Sequence, residues 1–166
     1  AALAEFARRI DVATFDFENV PADTAQWLTE HTRVFPNPRA LAVAQDRLAE
    51  KSLFRELGIP VGAFADVGSL DALRSEVDRL GGACILIRAV ERIGVPSILK
   101  TRRLGYDGKG QFRLKAPTDV DAAWDALAGA PSILEAFVPF ERELSVIAVR
   151  SREGEFRTYP LTQNWH

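Results

Sequence analysis

A glycine-rich segment at residues 100–112, "KTRRLGYDGKGQF", lies between two runs in which apolar and polar residues alternate. The flanking runs, "SILKTRR" and "QFRLKA", have the period of two that is typical of β-strands. The segment between them contains the Asp107-Gly108 step, a dipeptide favoured at hairpin tips. The sequence therefore predicts a β-hairpin whose tip contains Asp107-Gly108.

The hairpin tip has two interpretations, a plain surface turn or a backbone cradle for an anion. It matches neither a Walker A sequence nor a dinucleotide fingerprint, which also requires a helix after the glycines. Spacing alone favours the plain turn. The anion site gains support because small residues let backbone N–H groups approach a phosphate closely, and because four cations accompany the single acidic residue Asp107: Lys100, Arg102, Arg103 and Lys109.

The chain before Gly58 alternates between helical and strand-like patterns. Pro21 stands where a first helical turn tolerates its missing N–H group, and Gly58 with the following Ile-Pro step ends the last helix. The composition changes after this glycine, so we expect a domain boundary within 58–67. The pattern predicts, in chain order, a helix over 3–10, a strand over 11–17 and helices over 22–31 and 39–57.

The chain after Gly58 predicts a module of strands and helices with its own core, so the fold class is α/β (α+β). Ser69 can cap a helix that runs to Leu80. Thr118 and Asp121 have a capping-box-like spacing at the start of a helix that ends at Leu127. Strands are predicted over 61–67, 81–88, 94–101, 111–116, 131–138, 141–150 and 156–161.

Composition excludes several classes of protein. The 166 residues carry a formal net charge of −2, so there is no global basic field to recruit nucleic acid. No stretch approaches the roughly eighteen apolar residues of a membrane span. Glu5, Arg8 and Arg9 stand where a signal peptide needs its apolar core, so we expect a cytoplasmic protein. The single cysteine, Cys84, is predicted to be a buried, unreactive thiol.

The two ends of the chain suggest that it is part of a longer protein. No methionine is present, and the last residues stop in a strand-like pattern without a terminating signal. We therefore expect an internal piece. One cysteine and two histidines are too few for a zinc cluster.

Several charged residues outside the hairpin have both a structural and a functional interpretation. Arg47 and Lys51 share one helix face, where ordinary ion pairs are common; in the functional interpretation Arg47 reaches a phosphate. Glu141 and Glu143 share one face of a strand and are either solvated or a pair that could bind a hard metal. Glu135 ends a strand before a bend, and either faces water or forms a hinge whose backbone is free to pair with a ligand.

Five blocks of sequence, in their order, resemble the 5-(carboxyamino)imidazole ribonucleotide synthases of purine biosynthesis, a family of ATP-grasp enzymes. The match runs over almost the whole chain. Residues 83–94 look like an insertion before the lysine strand, but Lys100 keeps its spacing to the glycine loop and therefore keeps the family lysine's role. The blocks are "FENVP", "QDRLAEKSLFRELGIPV", "ILKTRRLGYDGKGQF", "ILEAFVPFERELSVI" and "YPLTQNWH".

The resemblance implies an ATP-grasp fold in which a Rossmann-like first domain leads into a lid subdomain, with ATP held between the lid and a larger subdomain. It implies three parts in this chain. The end of the first domain and its connecting helix would occupy 1–60, the complete lid 61–138, and the beginning of the larger subdomain 139–166.

The resemblance also implies which residues contact ATP. Arg47 and Lys100 would contact the nucleotide, with Lys100 near its phosphates. Glu143 would take the ribose hydroxyls, and His166 would lie close to the nucleotide. The lid hairpin over the phosphates would consist of Gly105, Tyr106, Asp107, Gly108, Lys109, Gly110 and Gln111. The hinge that meets the adenine edge, largely through backbone, would consist of Glu135, Ala136, Phe137 and Val138.

In that family ATP phosphorylates bicarbonate to carboxyphosphate, and the carboxyl group then passes to the amine of 5-aminoimidazole ribonucleotide. The resemblance implies Mg²⁺ as well as ATP, with the magnesium ligands and most catalytic residues beyond His166, so the chain alone is expected to be inactive. It also implies a homodimer, with no nucleic-acid or membrane partner.

Two alternatives stay open. One is another ATP-grasp carboxylate-amine ligase, such as the formate-dependent glycinamide ribonucleotide transformylase. The other is a non-enzymatic module that binds anions or nucleic acid through the basic hairpin, although the mixed charge of the chain argues against it.

Overall fold

The computed structural model describes residues 2–78, 95–105 and 109–165. The predicted strand over 81–88, the segment 83–94 and the hairpin tip at 106–108 lie outside these residues, as do the last residues of the helix predicted to reach Leu80. The N-terminal part contains α1 (Ala2–Arg8), β1 (Val12–Ala13), α2 (Ala22–Leu28) and β2 (Arg33–Val34).

The N-terminal part is a small layer of helices beside a two-stranded parallel sheet, β1 with β2. Helix α1 agrees with the predicted pattern. The strand predicted over 11–17 was too long, because β2 offers only two residues to pair with. The helix predicted over 22–31 ends at Leu28, since the next N–H groups donate to carbonyls three residues back and tighten the last turn. The buried side chains of this layer are Ala7, Ala13, Leu28 and Val34.

The single helix predicted over 39–57 is wrong, because the structure has two helices there, α3 (Pro38–Ala44) and α4 (Arg47–Glu56). Asp46 lies between them in an extended conformation, and its carboxylate accepts hydrogen bonds from the N–H groups of Leu48 and Ala49. Such an N-cap begins a new helix rather than continuing the old one. Gly58, at a φ of 71°, follows the end of α4 as predicted.

The central sheet has four antiparallel strands: β3 (Phe64–Val67), β4 (Ser97–Thr101), β5 (Gln111–Leu114) and β6 (Ser132–Ala136). Their order is β3-β6-β4-β5. Strands β4 and β5 form the predicted hairpin, with Lys100 opposite Gln111. On its other side Lys100 lies opposite Ile133 of β6, and Glu135 lies opposite Ile98.

The two faces of the central sheet have different chemistry, because residues that are directly paired share a face and neighbours along a strand alternate. One face is apolar and packs on the helices α5 (Leu70–Asp78) and α6 (Val120–Ala126). The other face, hereafter the charged face, carries Lys100, Glu135 and Asp66. The core on the apolar face consists of Val67, Leu73, Val77, Leu99, Leu114, Val120, Ala123, Leu127 and Leu134, with Trp124 packed against it.

The two covering helices begin differently from each other. Ser69 caps α5 as predicted, because its hydroxyl accepts a hydrogen bond from the N–H of Ala72 at 3.1 Å. The capping pair predicted for α6, Thr118 with Asp121, is wrong. A 3-10 turn (Pro117–Asp119) precedes α6, and Asp119 is the carboxylate that accepts hydrogen bonds from the backbone, while Asp121 pairs with Arg74 instead.

The C-terminal part contains four short strands, β7 (Glu143–Ser145), β8 (Ala148–Arg150), β9 (Phe156–Thr158) and β10 (Thr162–Asn164). The single strand predicted over 141–150 is wrong, because the chain changes partner within it: β7 pairs with β10, and β8 pairs with β9. The predicted turn after Arg150 is present, with the N–H of Ser151 donating to the carbonyl of Glu155. None of the helices in the described ranges is long and apolar enough to cross a membrane.

Candidate functional site

The root of the glycine loop is fastened to the first residue of α4. The guanidinium of Arg47 donates from Nη1 to the carbonyl of Thr101 at 3.0 Å and from Nη2 to the carbonyl of Gly105 at 2.6 Å. The backbone N–H of Arg47 also donates to the carbonyl of Arg102 at 3.0 Å. Arg47 was predicted to contact a nucleotide, and the structure places it where the loop begins.

Two of the loop glycines lie where a side chain would collide with Thr101. The N–H of Thr101 donates to the carbonyl of Gly110 at 2.8 Å, which closes the loop across its base. Gly110 has a φ of 67°, and a methyl group added to it would lie 2.7 Å from Thr101 Oγ1. A methyl group on Gly105 would lie 3.1 Å from the same oxygen and from Arg47 Nη1. These glycines therefore allow the two sides of the loop to approach each other.

Behind the loop, Asp46 forms a two-pronged ion pair with Arg102. Arg102 Nη2 lies 2.6 Å from Asp46 Oδ2, and Arg102 Nε lies 3.1 Å from Asp46 Oδ1. Arg103 Nε lies 3.5 Å from Asp46 Oδ2, and Arg102 also reaches Asp66 at 3.5 Å. Asp46 is only 5 % exposed. Two of the cations predicted to attract an anion are therefore held by a carboxylate of the protein itself.

The pKa of Asp46 is lowered by this arrangement. Burial by itself raises the pKa of the carboxyl, but the hydrogen bonds and charge of Arg102 and the N–H groups of Leu48 and Ala49 outweigh burial. The carboxylate also raises the pKa of Arg102. Sequence reasoning missed this pair. An aspartate directly before a helical pattern is an N-cap signal that could have found half of it.

On the charged face, one carboxylate holds two ammonium groups. Lys100 Nζ lies 3.0 Å from Glu135 Oε2, and Lys51 Nζ, from α4, lies 3.6 Å from Glu135 Oε1. The Glu135 side chain is 13 % exposed. Lys100 therefore lies on the charged face, partly buried beside Glu135 and opposite Gln111 of the hairpin. Lys51 was noted only as a neighbour of Arg47 on its helix.

The predicted hinge is less free than expected. The N–H of Ala136 donates to the carbonyl of Ala63 at 2.9 Å, and the N–H of Phe137 donates to the carbonyl of Pro96 at 3.2 Å. Arg113 covers the Phe137 ring, with its guanidinium carbon 4.0 Å from the ring centroid. The expectation of a free backbone is thus wrong for two of the four hinge residues. The N–H of Val138 donates to no carbonyl among the described backbone hydrogen bonds.

The remaining predicted residues are only partly within the described ranges. Glu143 begins β7, where its Oε1 accepts a hydrogen bond from Asn164 Nδ2 at 2.8 Å, and the same amide donates to Ser145. Lys109 lies in the turn before β5 and is exposed. Three predicted loop residues, Tyr106, Asp107 and Gly108, lie outside the described residues, as does His166.

The described residues do not form a metal site. Within 2–78, 95–105 and 109–165, no group of three or more histidine, cysteine, aspartate or glutamate side chains could hold a metal ion. Glu143 accepts a hydrogen bond from the side-chain amide of Asn164.

The four-stranded sheet, its glycine-rich hairpin and the Lys100–Glu135 pair agree with the ATP-grasp class expected from the sequence. The ATP-grasp domain family matches residues 52–166, and the ribonucleotide synthetase preATP-grasp domain family matches residues 1–45. The chain belongs to the ATP-grasp family.

Two relatives that the chain resembles share one enzyme name within this family. The N5-carboxyaminoimidazole ribonucleotide synthase of Pseudomonas aeruginosa is 47% identical over 164 residues, which are 99% of this chain and 42% of that protein. The enzyme of the same name from Brucella melitensis is 44% identical over 167 residues, again 99% of this chain and 42% of that protein. The chain thus spans about two-fifths of the length of these relatives.

Solved structures agree with the sequence comparison. A crystal structure of an N5-carboxyaminoimidazole ribonucleotide synthetase in complex with ADP superimposes with a TM-score of 0.85 at 36% identity, covering 99% of this chain and 40% of that one. The synthetase from Thermus thermophilus gives a TM-score of 0.81 at 39% identity, covering 99% of this chain and 41% of that one.

We expect Gly110→Ala to destabilise the loop base. A left-handed φ costs a non-glycine residue about 1–2 kcal/mol, and contact with Thr101 Oγ1 adds about 1–3 kcal/mol. Gly58→Ala is the matched control, because Gly58 has a similar φ of 71° with no atom within 4 Å of the added methyl group. The measurement is the free energy of unfolding of the full-length protein. Equal losses in the two variants, or no relief from adding Thr101→Ala, would contradict the steric argument.

We expect Asp46→Asn to lower stability at neutral pH, because asparagine retains the helix cap but not the charge. The folded-state pKa of Asp46 is lowered, so its carboxylate stabilises the fold above the unfolded-state pKa, and this contribution is lost as pH falls through the folded-state pKa. The loss should be about 1–3 kcal/mol at pH 7 and should shrink between about pH 4 and pH 2.

Unfolding of the wild type and of Asp46→Asn at pH 7 and at about pH 3 measures this difference. Asp71→Asn is the control, because Asp71 pairs with Arg74 at an exposed site and such pairs contribute little. A stability difference for Asp46→Asn that is the same at both pH values would refute the role of the charge.

Proposed function

We propose that the protein containing this chain carboxylates 5-aminoimidazole ribonucleotide with bicarbonate at the expense of ATP. The observation that carries the proposal is the 47% identity to the Pseudomonas aeruginosa synthase across both the preATP-grasp and the ATP-grasp regions. The enzyme would be cytoplasmic and would belong to purine biosynthesis. The other named relatives above support the same reaction.

The proposed reaction has two steps. A bicarbonate oxygen attacks the γ-phosphorus of ATP, the bond to the β-phosphate oxygen breaks, and carboxyphosphate and ADP form. The amine of 5-aminoimidazole ribonucleotide then attacks the carboxyl carbon, inorganic phosphate leaves, and the amine proton is lost. The products are 5-(carboxyamino)imidazole ribonucleotide, ADP and phosphate. In such transfers a protein contributes mainly positioning and charge stabilisation.

The charged face and the loop suit the phosphate end of ATP. Lys100, on the charged face at the loop, would neutralise phosphate oxygens, and the N–H groups of residues 105–111 would cover them. Arg47 would hold the loop root through the Thr101 and Gly105 carbonyls while contacting the nucleotide. Closure of this lid would exclude the water that hydrolyses carboxyphosphate.

The hinge would bind the adenine end of ATP. Val138 would offer its N–H to the ring edge, since the N–H groups of Ala136 and Phe137 already donate to protein carbonyls. Glu143 would accept hydrogen bonds from the ribose hydroxyls, and these would replace the hydrogen bond that it accepts from Asn164 Nδ2. His166 would lie near the nucleotide, as its position in the "NWH" sequence implies.

No group of three or more metal-ligating side chains lies within the residues that the structure describes. Mg²⁺, which ATP-dependent phosphoryl transfer generally requires, would be held by residues beyond His166. The three proposed parts are the end of a Rossmann-like domain at 1–60, the lid at 61–138 and the beginning of the larger subdomain at 139–166. A homodimer is proposed from the resemblance alone.

The first experiment is an assay of the purified full-length protein. We expect ADP release to require both bicarbonate and 5-aminoimidazole ribonucleotide, with one carboxylated product formed per ADP. Replacement of both by formate and glycinamide ribonucleotide tests the transformylase alternative. ADP release with that second pair only, or salt-sensitive binding of RNA that excess ATP does not displace, would refute the proposal.

The second experiment tests the phosphate role of Lys100. Lys100→Met should raise the KM for ATP about tenfold or more, because a contact between an ammonium and a phosphate is lost in a partly buried site. Lys115→Met is the control, because Lys115 is an exposed lysine in the bend after β5. An unchanged KM and kcat in Lys100→Met would refute the assignment.

A further inference from the structure

Glu135 is a largely buried carboxylate that two lysines contact at different distances. Its Oε2 accepts a direct hydrogen bond from Lys100 Nζ at 3.0 Å. Its Oε1 is fully buried and lacks a hydrogen bond, and the ammonium of Lys51 lies 3.6 Å from it. The stronger contact is thus made by the lysine that the proposed function assigns to the phosphates, and the weaker one by a lysine without an assigned role.

Binding of phosphates would disturb this cluster. If Lys100 moves to a phosphate, Glu135 loses its hydrogen-bonded partner while its side chain is only 13 % exposed. A buried carboxylate without a partner is costly, and here it would also lie near the negative charge of the nucleotide. The release of Lys100 therefore requires another cation on Glu135.

Lys51 is already in place for this purpose. It lies four residues after Arg47 in α4, so both side chains project from the same side of the helix. Arg47 is fixed by the loop carbonyls, which also fixes the rotation of the helix about its axis. A shift of a few tenths of an ångström would bring Lys51 Nζ within hydrogen-bond distance of Oε1.

We propose that Lys51 is a positioning residue for nucleotide binding: it keeps Glu135 neutralised when Lys100 leaves that carboxylate for the phosphates of the nucleotide. The inference rests on the proposed function, because it deepens the role of Lys100 at the same site. Lys51 acts through Glu135 and does not itself contact the phosphates.

The test measures binding of ADP and of adenosine to the full-length protein by isothermal titration calorimetry. Lys51→Met should weaken ADP binding about tenfold, because Glu135 then competes for Lys100. Adenosine binding should be unchanged, since adenosine has no phosphate to attract Lys100. Lys51→Arg should restore most of the ADP affinity. An equal loss for both ligands would indicate a merely structural role and would overturn the inference.

The second part of the binding experiment uses the Glu135→Gln variant. Whatever Glu135→Gln itself does to ADP affinity, adding Lys51→Met to it should have no further effect, because position 135 then has no carboxylate to compete for Lys100. If Lys51→Met still weakens ADP binding in the Glu135→Gln protein, Lys51 contacts the phosphates directly and the inference is wrong. If Lys51→Met alone does not fold, the ADP affinities of Glu135→Gln and of the double variant are compared with each other to test the inference. Neither of these variants leaves an unpaired carboxylate at position 135.

The matched control is Arg55→Met, which removes an exposed cation one turn after Lys51 on the same side of α4, where Arg55 lies over the Phe64 ring instead of pairing with Glu135. It should leave ADP binding unchanged. The two proposals fail separately. A wild-type protein that binds ADP but has no bicarbonate-dependent turnover would overturn the proposed reaction alone, whereas equal ADP affinity in the wild type and Lys51→Met would overturn the role of Lys51 alone.

Discussion

The buried ion pair between Asp46 and Arg102 is the interaction on which the rest of the structure depends. Asp46 both begins α4 and holds the residue that follows β4, so one carboxylate joins a helix to a sheet that lies 56 residues further along the chain. Removing Arg102 alone would leave the buried Asp46 carboxylate without its main partner, which costs more than the pair contributes. The adjacent Arg47 can fasten the loop only because this pair fixes where α4 begins.

Because side chains alternate along its strands, the central sheet carries its apolar core on one face and its charged residues on the other. Leu99 and Leu134 point to the helices and are fully buried, whereas their neighbours Lys100 and Glu135 point to the opposite face. The charged face gains no packing from α5 and α6, so its lysines and carboxylates must neutralise one another. Lys51, Lys100 and Glu135 together carry an excess of one positive charge, and such a cluster is suited to an anion.

Local sequence signals predicted the elements of the fold that depend on near neighbours. Alternation and glycines found the hairpin, and Ser69 found the start of α5. The predictions were wrong where a residue far away in the sequence determines the local structure. Asp46 looks like one polar residue in a continuous helix until Arg102 is placed beside it, and residues 141–150 look like one strand until β10 and β9 divide them. The hinge was predicted to be free because Ala63 and Pro96, which occupy two of its N–H groups, lie far away in sequence.

The short helix α4 determines the directions in which its side chains project as well as where they lie along the chain. Each residue of a helix turns the next side chain by about 100°, so Arg47 and Lys51 face the loop and the sheet together only while their separation stays at four residues. A single inserted or deleted residue between them would rotate Lys51 away from Glu135, although the composition of the helix would hardly change. A change of length in the first turn of α4 would therefore separate the loop contact of Arg47 from the ion pair of Lys51.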